Sequence, residues 1–436
     1  MNQVEVVLCN PVRTAIGSYG GTLKDTAAPV LGAAALKEVM RRAGLAPALV
    51  QSVVMGNVLQ AGVRMNPARQ AAIAAGLPVE VPALTVNRVC GSGAQAVVSA
   101  ALEIWAGMAD CELAGGMENM DRAPYLLPEG RWGARMGDVT LCDAMLQDGL
   151  HDAFSGQHAG WHTEDLVSKM GITRADQDRW ALRSQQRFAA AQAAGLFDPE
   201  IVPIELSTRK GTVVFSKDEQ NRPDTTAAML AELKPAFRKD GTITAGSAPG
   251  LNSGAAAMLV ARRDWGEAHG LAPMARLAGY GVAAVEPGMF GLGPVPAVRE
   301  ALRRADWPAA SVERVEINEA FAAITLACLR ELQFPEEIVN VDGGAVALGH
   351  PIGATGAVLA TRLMYSMQRD GLRRGIVPCA SAAARVSRWR SNACRACLPP
   401  ETDHAGWRMI NLLAMEVSMM TDPIADRPLR EAWLHT

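Results

Sequence analysis

The chain alternates short apolar segments with amphipathic stretches from its beginning. The β-branched runs at residues 4–9 and 52–58 have the length and composition of strands, and the Ala- and Leu-rich stretch Ala28–Ala43 between them has the period of a helix. Strand-like segments return at residues 274–278 and 312–317. This rhythm of strands covered by helices predicts an α/β protein with two similar halves.

Each half also contains a strand-like segment followed by a Gly-rich turn and a long helix. The first of these is VNRVCGSGAQA at residues 86–96, and the second is VDGGAVALGHPIGATG at residues 341–356. In the first helix Gln95, Ser99 and Glu103 form the only polar stripe, at i, i+4 and i+8, so most of its surface is expected to be buried. The repeated order indicates an internal duplication, with the first helix in a central position.

Residues 121–244 differ in composition from both halves, because aromatic and polar residues rise and long irregular segments separate the helical pieces. Thr173 with Asp176 predicts a capping box that opens an amphipathic helix running to about Ala194. A strand signal follows at residues 213–215. We interpret this region as a loop domain inserted into the first half, a common location for substrate selectivity.

The composition narrows the classes of function. The chain has 436 residues, enough for two or three packed units, and its net charge of -3 provides no electrostatic footprint for nucleic acid or a membrane surface. The first residues lack the pattern of a signal peptide, and no apolar run is long enough to span a bilayer. The eight cysteines are scattered, which is typical of reduced thiols in the cytosol. We therefore expect a cytoplasmic enzyme that acts on small molecules.

Cys90 is the candidate nucleophile. A cysteine reacts as its thiolate, and a helix N-terminus lowers the thiol pKa because it stabilises the anion. Gly91, Ser92 and Gly93 follow Cys90 directly. Because a purely structural cysteine does not need exposed backbone amides around it, these residues favour a reactive thiol at this position. Buried, inert thiols are the alternative, which we assign to Cys9, Cys111, Cys142 and Cys328.

His350 is the candidate base. In Gly349-His350-Pro351 the proline fits the first position of a helix and the histidine lies just outside it, a setting that favours a poised base over a satisfied core histidine. The other six histidines lack this setting, and no group of His, Cys, Asp and Glu has metal-ligand spacing, so we predict no metal. Cys90 and His350 together predict covalent acyl transfer.

Asn318 is a third candidate. It lies in VEINEAFAA, residues 315–323, between an apolar strand-like segment and a predicted helix. Its side chain could cap that helix, or it could hold a water or donate to a developing oxyanion. The presence of the other two motifs favours the second interpretation.

Taken together, these motifs resemble the thiolase family, which comprises acetyl-CoA acetyltransferases and 3-ketoacyl-CoA thiolases. The resemblance covers residues 4 to about 377 and rests on four ordered motifs, at residues 86–96, 114–120, 315–323 and 343–356. It implies a duplicated α/β fold with two βαβαβαββ halves stacked as α-β-α-β-α layers and an inserted loop domain. It also implies condensation of acetyl-CoA or thiolysis of a 3-ketoacyl-CoA.

The resemblance implies a role for each catalytic candidate. Cys90 would carry the acyl group as a thioester. His350 would activate Cys90 and help to bind the thioester oxygen, and Asn318 would hold a water that completes this oxyanion site. The backbone amide of Cys90 would serve a second oxyanion hole.

The ligand contacts are implied in the same way. Coenzyme A would be a substrate, and no other cofactor is expected. The insert would cover its pantetheine and nucleotide, with His158, Ser247 and Gly349 at the substrate. Members of the family are oligomers, so the resemblance implies a homodimer or homotetramer, with no nucleic-acid or membrane partner.

The end of the chain departs from the family pattern. Thiolases carry a further motif, CxGGGQG, whose cysteine moves the α-carbon proton and whose glycine amide completes the second oxyanion hole. Nothing after Val377 matches it, and the segment from Pro378 is rich in Ala, Ser and Arg. The acyl transfer to Cys90 is expected to survive this loss, whereas condensation is expected to be severely impaired.

A single-base loss near Pro378 would explain this departure. If the third base of each codon is read with the first two of the next, the segment permits LCIGGGQG, provided that Arg385 is encoded by AGG. We hypothesise that such a shift leaves Ala380 at the position of the second cysteine, with Cys379 one residue away. The coding DNA tests this hypothesis, because a CGN codon for Arg385 excludes it.

These patterns give a division of the chain. Residues 1–120 and 245–271 form the first half, 121–244 the insert, and 272–377 a second half that lacks its last strand. Residues 378–436 are expected to be an irregular, atypical tail. A catalytically inactive acyl-CoA-binding or structural homologue is the alternative function, and a decarboxylating ketoacyl synthase is disfavoured because it would need a second catalytic histidine near Asn318.

Overall fold

The computed structural model describes residues 4–133, 135–208, 211–379 and 382–388, the last of these as backbone. Its strands are β1 (Val6–Thr14), β2 (Gly17–Ser18), β3 (Ser52–Gly56), β4 (Ala83–Val86), β5 (Cys111–Asn119), β6 (Tyr125–Leu126), β7 (Cys142–Asp143), β8 (Ile201–Val202), β9 (Ile204–Thr208), β10 (Gly211–Phe215), β11 (Asn252–Arg262), β12 (Pro273–Gly281), β13 (Arg314–Val315), β14 (Arg374–Cys379) and β15 (Ala382–Arg388). Its α-helices are α1 (Ala28–Ala43), α2 (Pro67–Ala74), α3 (Ser92–Trp105), α4 (Ala159–Met170), α5 (Arg174–Ala193), α6 (Ala227–Ala231), α7 (Arg263–Ala268), α8 (Pro294–Arg304), α9 (Ala322–Leu332), α10 (Ala345–Leu348) and α11 (Thr355–Asp370).

The strand order confirms the predicted duplication. In the first half the order is β4-β3-β5-β11-β1, with β3 parallel to both neighbours and β11 antiparallel to both of its own. In the second half the order is β13-β14-β15-β12, and Val339 bridges to β13 where β4 lies in the first half. Strands β13 and β14 are parallel, whereas β15 is antiparallel to β14 and β12. Antiparallel pairing of β1 with β12 joins the two halves.

The predicted loss of the last strand is wrong. The backbone of β15 pairs with β14 on one side and with β12 on the other, in the position that β11 occupies in the first half. Backbone N–H and C=O groups form this ladder, so a segment with no strand-like side-chain alternation can still occupy the slot between two strands. The expectation of an irregular tail therefore fails for residues 382–388, and residues 380–381 and 389–436 lie outside the described part of the chain.

The sheet is buried on both faces, which produces the layers. Along β1, Val7 and Cys9 face a core shared with α1 and α2, whereas Val6 and Leu8 face a second core shared with α3 and α11. A third core lies between the second-half strands and helices α8 and α9. The resulting order is α-β-α-β-α, with α3 and α11 in the middle, as the resemblance implied.

Helices α3 and α11 pack against each other at glycines near their first turns. A Cβ at Gly93 would lie 2.6 Å from the Ala357 nitrogen, and one at Gly356 would collide with Ala94. Only a residue without a side chain permits this approach. The contact brings together the two turns that precede these helices, and these turns contain Cys90 and His350.

The segment between the two parts of the first half contains α4, α5, α6 and the β9–β10 hairpin. The capping box of Thr173 and Asp176 is confirmed, and the helix that it opens is α5. Buried Arg13 on β1 anchors this segment, because its guanidinium lies 2.6 Å from Glu200 and 2.7 Å from Asp218. In the described part of the chain, each helix is too short or too polar to cross a bilayer.

Candidate active site

A tight turn between β4 and α3 presents Cys90. Val89 has φ +45°, a conformation that is rare and strained for a β-branched residue. Ser92 stabilises the turn, since its Oγ donates to the Val89 carbonyl at 2.6 Å and accepts from the Arg88 N–H at 2.8 Å. Cys90 is therefore held two residues before the first residue of α3.

A second turn, between α10 and α11, presents His350. The backbone N–H of His350 donates to Asn252 Oδ1 at 2.8 Å, and the carbonyl of Pro351 accepts from the N–H groups of Ala354 and Thr355. Helix α11 begins at Thr355, so the prediction that Pro351 is the first helical residue is wrong. The four intervening residues form a turn that places the imidazole ahead of the helix.

The two turns bring the predicted nucleophile and base into contact. Cys90 Sγ lies 3.1 Å from His350 Nε2, although the residues are 260 positions apart in the chain. His350 is buried, and Cys90 is half-buried. This separation is within the reach of a proton transfer between sulfur and nitrogen.

The neighbours of His350 determine which of its nitrogens carries the proton. His350 Nδ1 lies 2.6 Å from Thr355 Oγ1, and the hydroxyl of Thr355 donates to the Pro351 carbonyl at 2.8 Å. Because the hydroxyl proton is used in that bond, Nδ1 must donate to Thr355. Nε2 is then an acceptor directed at the thiol of Cys90.

Burial changes the expected protonation of both groups. Burial raises the pKa of Cys90 to about 12, and it lowers the pKa of His350 to about 4. The expected lowering of the Cys90 pKa by the helix N-terminus is therefore outweighed in the free protein. The pair rests as a neutral thiol beside a neutral imidazole.

Asn318 is adjacent to this pair. Its Nδ2 lies 3.4 Å from His350 Nε2, and its backbone N–H donates to the Pro378 carbonyl at 3.0 Å. Helix α9 begins at Ala322 with Phe321 before it, so the alternative in which Asn318 caps that helix is wrong. Asn318 is buried, and its Oδ1 has no hydrogen-bond partner among the described residues. This oxygen is free to hold a water.

Cys90 and His350 open onto a cavity of about 400 Å³. The cavity lining includes the aromatic rings of Phe237, Phe290 and Phe321 and several polar side chains. The full lining consists of Val89, Cys90, Met120, residues 148–152, His158, Ala159, His162, Phe237, residues 248–251, Pro287, Phe290, Ala320, Phe321, His350 and Ile352. Such a concave, largely apolar site with a few polar groups is typical of a small-molecule site.

Comparison with known proteins identifies the family. The model of the thiolase N-terminal domain matches residues 6–264, and that of the thiolase C-terminal domain matches residues 271–388. The chain belongs to the thiolase family. Acetyl-CoA acetyltransferases of Chromobacterium violaceum and Cupriavidus necator are each 48% identical to it, over 86% and 85% of this chain and 95% of each relative.

Solved structures agree with this assignment. The Bacillus anthracis acetyl-CoA acetyltransferase aligns with a TM-score of 0.87 and 42% identity, covering 89% of this chain and 99% of that one. Human mitochondrial 3-ketoacyl-CoA thiolase gives the same TM-score with 38% identity, covering 89% and 100%. This protein is thus a thiolase enzyme, and it has the acyltransferase function of that family.

The three residues predicted to contact the substrate lie at different depths in this thiolase. His158 lines the cavity, stacks on Phe237 with ring centroids 4.7 Å apart, and accepts from the Gly160 N–H; burial lowers its pKa to about 4. Ser247 is buried, and its Oγ bonds within its own turn to Thr244. Its neighbours at 248–251 line the cavity instead.

At Gly349, the third of these residues, the backbone conformation and the packing both require a glycine. Its φ is +107°, and a Cβ there would lie 2.6 Å from the Asn252 side chain. Gly349 thus lets Asn252 approach the His350 turn, and Gly349 itself is not part of the cavity lining.

The sequence interpretation missed three residues that shape the thiolase site, namely Asn252, Thr355 and Glu118. Asn252 binds the backbone of His350, Thr355 fixes its tautomer, and Glu118 binds the turn that follows it. Thr355 lies in the motif at residues 343–356, and its position one helical turn after Pro351 is a signal that could have identified it, whereas Glu118 lies in the motif at residues 114–120 without such a signal. Asn252 and Glu118 reach the turn from β11 and β5, and no local pattern signals those contacts.

Within the described residues, no three His, Cys, Asp or Glu side chains are grouped so that they could hold a metal ion. The absence of a cofactor stays a prediction.

Proposed function

We propose that this thiolase transfers acyl groups through a thioester on Cys90, in the condensation of acetyl-CoA or the thiolysis of a 3-ketoacyl-CoA. The observation that carries the proposal is the 3.1 Å separation of Cys90 Sγ and the acceptor nitrogen of His350 in the lining of the cavity. Nucleophilic catalysis by cysteine needs such a base within hydrogen-bond reach.

The first half-reaction uses the neutral pair. As Cys90 Sγ attacks the thioester carbonyl, its proton passes to His350 Nε2. The carbon–sulfur bond to coenzyme A then breaks, and the proton moves from His350 to the departing sulfur. The products are an acyl thioester on Cys90 and free coenzyme A, so atoms and charge balance. Thr355 holds the imidazole in the required orientation throughout.

The carbonyl oxygen needs donors while it is charged. We propose that protonated His350 and a water on Asn318 hold it in this step, and that the backbone amide of Cys90 serves the second oxyanion hole. The position of Asn318 Nδ2, 3.4 Å from His350 Nε2, supports a shared oxyanion site.

The remaining assignments follow from the family. Coenzyme A is proposed as a substrate rather than a resident cofactor, with no metal and no nucleic-acid or membrane partner. Its pantetheine would enter past His158 and the turn at Ser247, next to Gly349 and the His350 turn. We propose a cytoplasmic homodimer or homotetramer. The insert at 121–244 would cover the bound substrate, since His158 and Phe237 belong to it and line the cavity.

Mixing the protein with acetyl-CoA is expected to add one acetyl group to Cys90. Intact mass followed by peptide mapping measures the adduct and its site. Cys90→Ser should lose a hydroxylamine-labile adduct, whereas Cys142→Ser, a half-buried cysteine in the insert, should retain it. Absence of an adduct, or an adduct confined to another cysteine, would refute the proposal. Binding of coenzyme A without acylation would favour the inactive homologue.

A further inference from the structure

We infer that Glu118 is a positioning residue that holds the His350 turn in place over Cys90. The inference rests on the proposed function, because the distance that Glu118 controls is the one across which the proton moves. Glu118 lies near the end of β5, is fully buried, and has no part in the chemical steps described above.

Four N–H groups from two separate segments converge on this carboxylate. Oε1 accepts from Asn57 Nδ2 at 2.7 Å and from the Leu59 N–H at 3.2 Å. Oε2 accepts from the Val58 N–H at 3.0 Å and from the Gly353 N–H at 2.9 Å. One side chain thus links the segment after β3 to the turn after His350.

Both of the linked segments border the reactive pair. Val58, Leu59 and Ile352 form one buried cluster, against which Cys90 packs. The turn lies directly on the end of β3, because a Cβ at Gly56 would lie 2.6 Å from the Gly353 carbonyl oxygen. Movement of either segment would therefore change the separation of the sulfur from the imidazole.

The turn is held at both of its ends. Asn252 accepts the backbone N–H of His350, and Glu118 accepts the backbone N–H of Gly353 three residues later. If the second bond is lost, Asn252 and Thr355 still hold the His350 end of the turn, but its Gly353 end loses its link to β5. The turn can then shift relative to Cys90. Small displacements of reacting groups have large effects on rate.

The donor set requires an ionised carboxylate, which is costly in this position. Burial raises the pKa of Glu118 to about 7, and the hydrogen bonds from Val58, Gly353, Leu59 and Asn57 oppose that rise. The titratable groups next to the segments it orders are Cys90, which packs against Val58 and Leu59, and His350, and both are neutral near pH 7. A glutamine at this position keeps one acceptor oxygen and places its NH₂ against the other pair of N–H donors, so Glu118→Gln weakens the tether with little change in volume.

Glu118→Gln is expected to slow acetylation of Cys90 by about tenfold to a hundredfold, with KM for acetyl-CoA changed less than kcat. Single-turnover mass spectrometry measures the rate. The matched control is Glu112→Gln, which removes another buried glutamate of β5. Burial, followed by the nearby Glu103, raises the pKa of Glu112 to about 9, so this side chain is already neutral near pH 7. The Glu112→Gln variant should therefore acetylate Cys90 at the wild-type rate.

A pH profile separates positioning from a merely structural role. Wild-type acetylation should decline as the pH falls through about 7, because protonation puts an O–H against the N–H donors. Glu118→Gln should lack this decline. A folded Glu118→Gln protein with the wild-type rate and the wild-type pH profile would overturn the inference.

Two further measurements keep the result decisive. If Glu118→Gln does not fold, Asn57→Ala removes one of the four donors, and its acetylation should slow by a smaller factor than tenfold; an unchanged rate would count against the inference. If the wild type forms no acetyl adduct, the proposed function fails. Alkylation of Cys90 by iodoacetamide would then still test Glu118, because Glu118→Gln should alter that rate and Glu112→Gln should not.

Discussion

Replacement of His350 with glutamine is expected to slow acetylation of Cys90 by about 10²- to 10⁴-fold, the usual contribution of a positioned general base. The Cys90 thiol has a pKa raised to about 12 by burial, so it has almost no thiolate of its own at neutral pH. Its proton must therefore be taken during the attack. Glutamine has a similar reach and can still bond to Thr355, but its amide cannot accept that proton.

Rapid mixing with acetyl-CoA and quenched intact-mass analysis measure this effect. His269→Gln is the matched control, because His269 stacks on Trp265 outside the cavity lining and should leave the rate unchanged. The pH dependence adds a second check. Burial lowers the pKa of His350 to about 4, so the base itself stays unprotonated above that pH. Below the decline expected from Glu118 near pH 7, a second loss of rate is therefore expected as the pH falls through about 4. A His350→Gln protein that acetylates at the wild-type rate would contradict the mechanism.

Local sequence patterns were sufficient for much of the fold. Ala28–Ala43 is a helix with the predicted bounds, because its apolar period is strong and Gly44 ends it in a left-handed conformation. The capping box at Thr173 was equally local. The Gly-rich turns predicted that Cys90 and His350 each precede a helix, and the duplication of these turns explained how residues far apart in the chain could meet.

Properties that depend on distant residues could not be predicted in this way. The pKa of Cys90 depends on how deeply the completed fold buries the thiol. This burial raises the pKa by more than the helix N-terminus, which could be predicted from the sequence, lowers it. Sequence alone left helix capping open as the disfavoured alternative for Asn318, and the structure excludes it because the backbone continues for three residues before α9 starts. Its neighbour across the site, His350, lies between α10 and α11, so their contact is not visible in the local sequence.

The last strand shows the same limit for the backbone. Residues 382–388 carry no strand signal, but β14 and β12 leave room for one strand between them. Strand β15 occupies this position, just as β11 occupies the equivalent position between β5 and β1 in the first half. Tertiary pairing therefore overrides the local preference of the segment. Strand β15 is present although the CxGGGQG motif is absent. The atypical ending is therefore expected to affect the condensation reaction rather than the pairing of the sheet.

Condensation of two acetyl-CoA molecules is accordingly expected to be slower than acetylation of Cys90 by about 10²- to 10⁴-fold, the range for loss of a general base. The family resemblance implies that a second cysteine removes the α-carbon proton, and the frame-shift hypothesis puts Ala380 at its position in this chain. Cys379 is a poor substitute. Its side chain is buried in the central core with Val377, and this burial raises the pKa of its thiol.

Two variants show whether the chain lacks the base for condensation or uses Cys379 in its place. The acetyl adduct and the 3-ketoacyl-CoA product are measured in the same reaction. Cys379→Ser should leave both rates within about threefold, because a buried thiol with a raised pKa is not a base. Ala380→Cys, with residues 381–386 replaced by IGGGQG, should increase condensation at least tenfold and leave acetylation of Cys90 unchanged, since a general base supplies about 10²-fold or more when it is correctly placed. If the wild-type chain condenses as fast as it acetylates and Cys379→Ser abolishes that activity, Cys379 is the base, and the altered ending has kept the proton transfer by moving the thiol one residue.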